Sequence, residues 1–165
     1  SNTNLFICVA LCETTGNLID GTASTISFNE VYIDGFRIGF DSDGITSKNI
    51  FDDDGNSSTV WNGLIKVYPF NNGSTSPVNF STESTGNTSN AYDVFPGWTS
   101  TKTLDNLAFA IIKFTYNKKQ KLTTIGKDIQ FKLTNTMTKL GDVLNDYLQN
   151  TRYGAGVSSS EIDIQ

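Results

Sequence analysis

Two short runs of carboxylates carry the residue types of a calcium loop. Asp41-Ser-Asp43-Gly44 and Asp52-Asp53-Asp54-Gly55-Asn56 each set hard oxygen ligands around a glycine turn. An EF-hand loop wants Asp-x-Asp-x-Asp-Gly and closes on a bidentate Glu. With Gly55 at the glycine position, Ile50 falls first and Trp61 last; with Gly44 there, Gly39 falls first. Neither register supplies the ligands. Asp41, Asp43, Asp52 and Asp54 therefore read as solvated turn residues, with a hard cation held loosely between the two loops as the weaker alternative.

Catalytic chemistry finds few candidates. The chain has no His, so the Ser-His and Cys-His pairs of the common nucleophilic mechanisms cannot form. Glycoside hydrolysis needs two carboxyl groups about 5–9.5 Å apart in a cleft. Glu13, Glu30, Glu83 and Glu161 qualify by type alone, Glu30 inside a strand pattern and Glu83 inside a polar stretch. Cys8 and Cys12 share one apolar run. As strand residues they face the same way but sit about 13 Å apart, beyond disulfide reach, and a metal site lacks further ligands. They read as buried free thiols. Trp61, Tyr68, Tyr92 and Trp98 have the faces of a sugar-stacking platform, but a β-rich domain places such rings in its core and in cross-strand pairs. The expectation is a chain that is not an enzyme and needs neither cofactor nor metal.

Composition narrows the partners. The 165 residues suit one domain. The net charge of -5 lacks the basic stripe that phosphate contacts require, which argues against direct nucleic-acid binding. Lys118, Lys119 and Lys121 read as decoration of a turn. No run approaches the roughly 20 apolar residues of a membrane span, and residues 5–11 are too short for a signal segment. Opening on Ser1, almost inside a strand, and closing on an open segment, the chain reads as a fragment of a longer protein.

The elements are mostly strands. Residues 5–12 form a continuous apolar run, the pattern of a strand buried on both faces. Residues 26–33 form a second strand, and Asp34-Gly35 turns it into Phe36-Arg-Ile-Gly-Phe40 as a hairpin. Residues 61–70, 107–116 and 125–133 complete the set, with Lys118-Lys119-Gln120 as a turn. Residues 41–58 and 71–90 read as polar surface loops; in the second, Val78 and Phe80 are the bulky apolar residues, too few to offset ordering entropy. That second loop should be the first site of proteolysis. Residues 140–151 are the helix. Leu140, Val143, Leu144, Tyr147 and Leu148 make one stripe, expected to face the core, so that truncating Leu144 should cost about 2–5 kcal/mol. Gly154 and Gly156 end it.

The wording of that last segment adds to its periodicity. Asp146-Tyr-Leu-Gln-Asn-Thr-Arg-Tyr-Gly-Ala-Gly-Val resembles the "DYLTNPRYGLGI" signature of the hub region of phage tail-tip proteins, the lambda-type tip attachment proteins and their relatives. Four further stretches are similar in the family's order. Leu5-Phe-Ile-Cys-Val-Ala-Leu-Cys-Glu13 looks like "LYLVVALCEGEI", and Val31-Tyr-Ile-Asp-Gly35 looks like "IYLDD". Phe95-Pro-Gly-Trp-Thr-Ser100 looks like "PGWTS", and Leu107-Ala-Phe-Ala-Ile-Ile-Lys-Phe-Thr-Tyr116 looks like "GVAYAYVRLDYD". The family's Pro before Arg-Tyr-Gly is Thr151 here, and its "GEI" is a longer turn at residues 14–19. The match is weakest over residues 41–91, where family members differ most in length.

The resemblance implies a single β-rich (α+β) hub domain over residues 1–165, with an antiparallel architecture, a variable polar insertion around 41–91 and one C-terminal helix. It implies a structural component of the tail tip, located in the virion at the distal end of the tail. Such a hub closes the tail tube and links it to the receptor-reading tip. The implied partners are its own copies in a homotrimer, the tail-tube end, the tape-measure protein and distal tail proteins, with strand edges available to neighbours. The implied structural residues are Trp98 as a loop anchor, Leu144 and Tyr147 on the helix, and Arg152, Tyr153, Gly154 and Gly156 at its exit. Arg152 is expected to satisfy carbonyls at the helix C-terminus. The alternative reading is a β-sandwich carbohydrate-binding or adhesin module of a secreted protein.

Overall fold

The computed structural model describes residues 3–74, 78–81, 88–123 and 128–162. It is mainly β, with antiparallel sheets, as the strand patterns predict. A three-stranded sheet runs in the order β1 (Asn4–Glu13), β9 (Leu107–Thr115), β6 (Ile65–Phe70). A five-stranded sheet runs β10 (Ile129–Asn135), β2 (Ile26–Ile33), β3 (Phe36–Phe40), β4 (Ser47–Phe51), β5 (Ser57–Ser58). β7 (Asn79–Ser81) and β8 (Thr88–Asn90) pair with each other. The helices are α1 (Ala91–Val94) and α2 (Leu140–Gln149).

β9 explains the layering. Its run Leu-Ala-Phe-Ala-Ile-Ile is apolar on both sides, and both sides are buried. Ala110, Ile112 and Phe114 face the five-stranded sheet and join Val31, Ile33, Ile38, Ile50, Ile65 and Val67 in the main core. Phe109 and Ile111 face the other way, into a second core with Tyr68, Val78, Phe80 and Ala91. Phe70 stacks on Phe109 at 4.4 Å between ring centroids.

The two sheets are stitched along one side. Val67 N–H donates to the Ile45 carbonyl at 3.0 Å, and Gly63 N–H donates to the Ser47 carbonyl at 2.8 Å. The buried Ser47 hydroxyl donates to the Trp61 carbonyl at 2.6 Å and accepts from Ile65 N–H at 3.1 Å. The hairpin at Asp34-Gly35 forms as expected, with both residues at positive φ, 50° and 83°, as a two-residue turn demands.

Several sequence expectations need correction. The strand expected over 61–70 begins only at Ile65, because Trp61 and Gly63 belong to the turn that grips Ser47. The strand expected over 125–133 is Ile129–Asn135; its first residues, 125–127, lie outside the described set. The 41–58 stretch contains β4, whose Ile50 is core. The 71–90 stretch holds β7 and β8, and Val78 and Phe80 are buried at 1% and 4% exposure. Its remaining parts, 75–77 and 82–87 with Glu83, lie outside the described residues. β1 is a strand, but it lies at a sheet edge and is half-buried rather than enclosed.

Candidate functional site

The helix α2 forms where its pattern predicts, though it ends at Gln149 rather than at residue 151, and it is turned the other way round. Its buried residues are two carboxylates, Asp142 and Asp146. Its apolar stripe points outward: Leu140 is 83% exposed, Val143 46%, Leu144 54% and Tyr147 53%, with Leu148 half-buried. Ile19, 43% exposed, extends the patch beside Gly141. The expectation that the stripe packs into the chain's own core is therefore wrong.

Backbone donors draw the carboxylates inward. The segment after β1 is folded back by an Asn17–Ala23 bridge and presents its N–H groups to the helix. Asp142 accepts from Ile19 N–H at 2.9 Å, and one oxygen of Asp146 accepts from Gly16 N–H at 2.7 Å. The other Asp146 oxygen accepts the Tyr153 hydroxyl. A carboxylate taken from water must find such donors, and hydrogen bonds to an ionised acceptor are the strong kind. A Cβ on Gly16 would lie 2.7 Å from Asp146 Oδ1, so any larger residue there must displace the carboxylate. Burial and the Asp146 bond raise the Tyr153 hydroxyl from 10 to about 12.

The helix exit is equally fixed. Asn150 Oδ1 accepts from Arg152 N–H and Tyr153 N–H. The chain then curls back, so that Ala155 and Val157 N–H donate to the Tyr147 and Leu148 carbonyls at 2.9 and 2.7 Å. At Gly154 a Cβ would fall 1.9 Å from the Tyr147 carbonyl oxygen, and Gly156 has φ +65°. Gly156 thus takes the left-handed backbone expected of it, whereas Gly154 does not and is needed for close approach to the Tyr147 carbonyl instead. The Arg152 side chain has a different task from the one expected: the turn's own N–H groups cap the helix, and the guanidinium reaches Glu13 at 2.8 Å, tying the exit to the end of β1. Glu161 closes a capping box with Ser158.

The other predicted residues are scattered. Trp98 anchors its loop, with its Nε1 donating to the Lys102 carbonyl at 3.1 Å and its ring 6.4 Å from Phe109. Tyr68 is buried in the second core, Trp61 packs edge-on to Phe36 beside the main core, and Tyr92 is exposed, so these rings form no common platform. Asp43 accepts from Ile45 N–H, Thr46 N–H and the Thr46 hydroxyl. Asp52 accepts from the Asn56 side chain and the N–H groups of Asn56 and Asp54, bonds that lower its pKa. Asp41 pairs with Lys48 at 3.3 Å. These carboxylates build turns, as does Asp54 N–H in the second of them. Among the described residues no His, Cys, Asp and Glu side chains gather as a metal site. Cys8 and Cys12 are free and half-buried rather than fully buried; burial raises Cys8 to about 11.

A polar cleft of about 260 Å³ lies between the 14–16 segment and the helix exit, lined by Thr14, Asn106, Gln149, Arg152 and Tyr153. It holds no pair of carboxylates and no nucleophile with a neighbouring base. What the region offers chemically is a firmly braced, uncharged apolar face. No helix of the described residues is long and apolar enough to cross a membrane. No family model, curated protein or solved structure matches the chain.

Proposed function

We propose that this chain is a structural subunit of a phage tail tip. It would act as a hub domain that helps close the distal end of the tail tube and link it to the receptor-reading tip. The observation that carries this reading is the outward stripe of α2. A surface helix normally turns such a stripe to its own core, and a large exposed apolar patch on a folded chain marks an interaction surface. Here the Asp146-to-Val157 stretch, which resembles the hub signature, braces the second half and the exit of the same helix, while Asp142 and Ile19 hold its first turn. In this reading the bracket exists to present Leu140, Val143, Leu144 and Tyr147 to neighbours in a ring of three copies.

The adhesin reading draws less support. A sugar platform would need Trp61, Tyr68 and Trp98 at the surface together, and these rings are divided between two cores. Immunogold labelling of intact particles with antibodies against this chain tests the assignment. Label at the distal end of the tail is expected; label on the capsid, or on no particle at all, would overturn it.

A further inference from the structure

β1 has the sequence of a central strand and the position of an edge strand. Leu5 to Val9 are apolar without interruption, yet each is only half-buried, and no described strand lies beyond β1 in its sheet. The hydrogen-bond phase shows which groups face outward. Tyr116 N–H donates to the Thr3 carbonyl, and Asn4 stands opposite Thr115. Antiparallel pairs alternate, so Leu5, Ile7 and Val9 bond to β9, while the backbone groups of Asn4, Phe6, Cys8 and Ala10 point away from it.

The other outer edges of the two larger sheets are guarded in the ways natural sheets use. β6 carries Pro69, which has no N–H, and its Lys66 and Val67 are already bridged to Thr46 and Ile45. β10 carries the exposed Lys132, paired to Glu30, and β5 is two residues long. Between Asn4 and Cys12, β1 has no proline and no charge. Its irregularity lies between Ala10 and Cys12, which leaves Asn4 to Ala10 regular.

We propose that the free chain pairs with a second copy through β1, antiparallel, with Cys8 on the two-fold axis. The segment is complementary to itself in that register. Phe6 meets the partner's Ala10, large against small; Ile7 meets the partner's Val9; and Cys8 meets the partner's Cys8. Each copy carries a net charge of -5, so an uncharged seam is where two copies meet without opposing like charges. The one carboxylate of β1, Glu13, is outside the seam and held by Arg152. The two three-stranded sheets then join into one continuous sheet.

The test uses the 165-residue chain. Sedimentation should show a dimer, and the Phe6, Cys8 and Ala10 amides should exchange more slowly as concentration rises. Cys8→Pro removes an outward N–H and no bond to β9; it should sediment as a monomer with an unchanged circular dichroism spectrum. With added disulfide oxidant, Cys12→Ala should give a cross-linked dimer and Cys8→Ala none, because paired Cα atoms in such a ladder stand about 5.5 Å apart. A wild-type monomer with fast amides at these positions overturns the proposal. So does an oligomer other than a dimer, or one that Cys8→Pro leaves intact. The tail-tip assignment is independent: a monomeric chain leaves it standing, and absence from the tail leaves the β1 pairing standing.

Discussion

Asp146 and Gly16 are 130 residues apart in the chain and joined by a 2.7 Å hydrogen bond from the glycine N–H to the carboxylate. That contact, repeated one turn earlier between Asp142 and Ile19, decides which face of α2 turns inward. With the polar side committed to the 14–20 segment, the apolar side has nowhere to go but out.

Removing the Asp146 acceptor should therefore loosen the bracket. Asp146→Ala leaves the Gly16 N–H and the Tyr153 hydroxyl without their partner and is expected to destabilise the chain by about 1.5–3 kcal/mol in denaturant unfolding. Gly16→Ala should destabilise it by the clash with the same carboxylate. In a double-mutant cycle the Asp146 and Tyr153 effects should be non-additive; simple additivity would mean that the short contact contributes nothing.

Leu144 should behave as a surface residue in the free chain. Leu144→Ala is expected to change stability by less than about 0.5 kcal/mol, the range of surface substitutions, rather than the 2–5 kcal/mol that a core leucine would cost. A large loss measured on a monomeric sample would return the stripe to the core.

The helix pattern was legible in the sequence, and its orientation was not. Periodicity of Leu140, Val143, Leu144, Tyr147 and Leu148 establishes that two faces exist, while the choice between them rests on backbone donors 123 and 130 residues away. β1, the Asp34-Gly35 hairpin, β9 and the glycine exit were readable because each is specified locally. Val78 and Phe80 are core residues in a stretch whose composition is that of a loop. Their two-residue spacing was itself a strand signal, hidden by the Asn, Ser and Thr around it. The Arg152–Glu13 pair had no local signal at all.

Val78 and Phe80 accordingly give a stability prediction. Phe80→Ala removes a ring packed against Phe6 and Tyr68 and should cost about 3–5 kcal/mol by equilibrium unfolding. A negligible cost would restore this stretch to a surface loop.

Alkaline pH should weaken the fold. Tyr68 and Tyr153 are each raised from 10 to about 12, in both cases first by burial. A folded pKa above the unfolded one means that the folded state holds the proton more tightly. The stabilisation is complete below pH 10 and is lost as pH rises through 12. Tyr153→Phe should flatten part of that decline; a decline identical in the variant would remove Tyr153 from the account.

The most direct measurement is a reconstruction of the intact tail tip at side-chain resolution. The account predicts three copies of this chain around the tail axis, each with Leu140, Leu144 and Tyr147 covered by a neighbour. A single copy on the side of a particle, or a ring in which the α2 stripe still faces solvent, would contradict it.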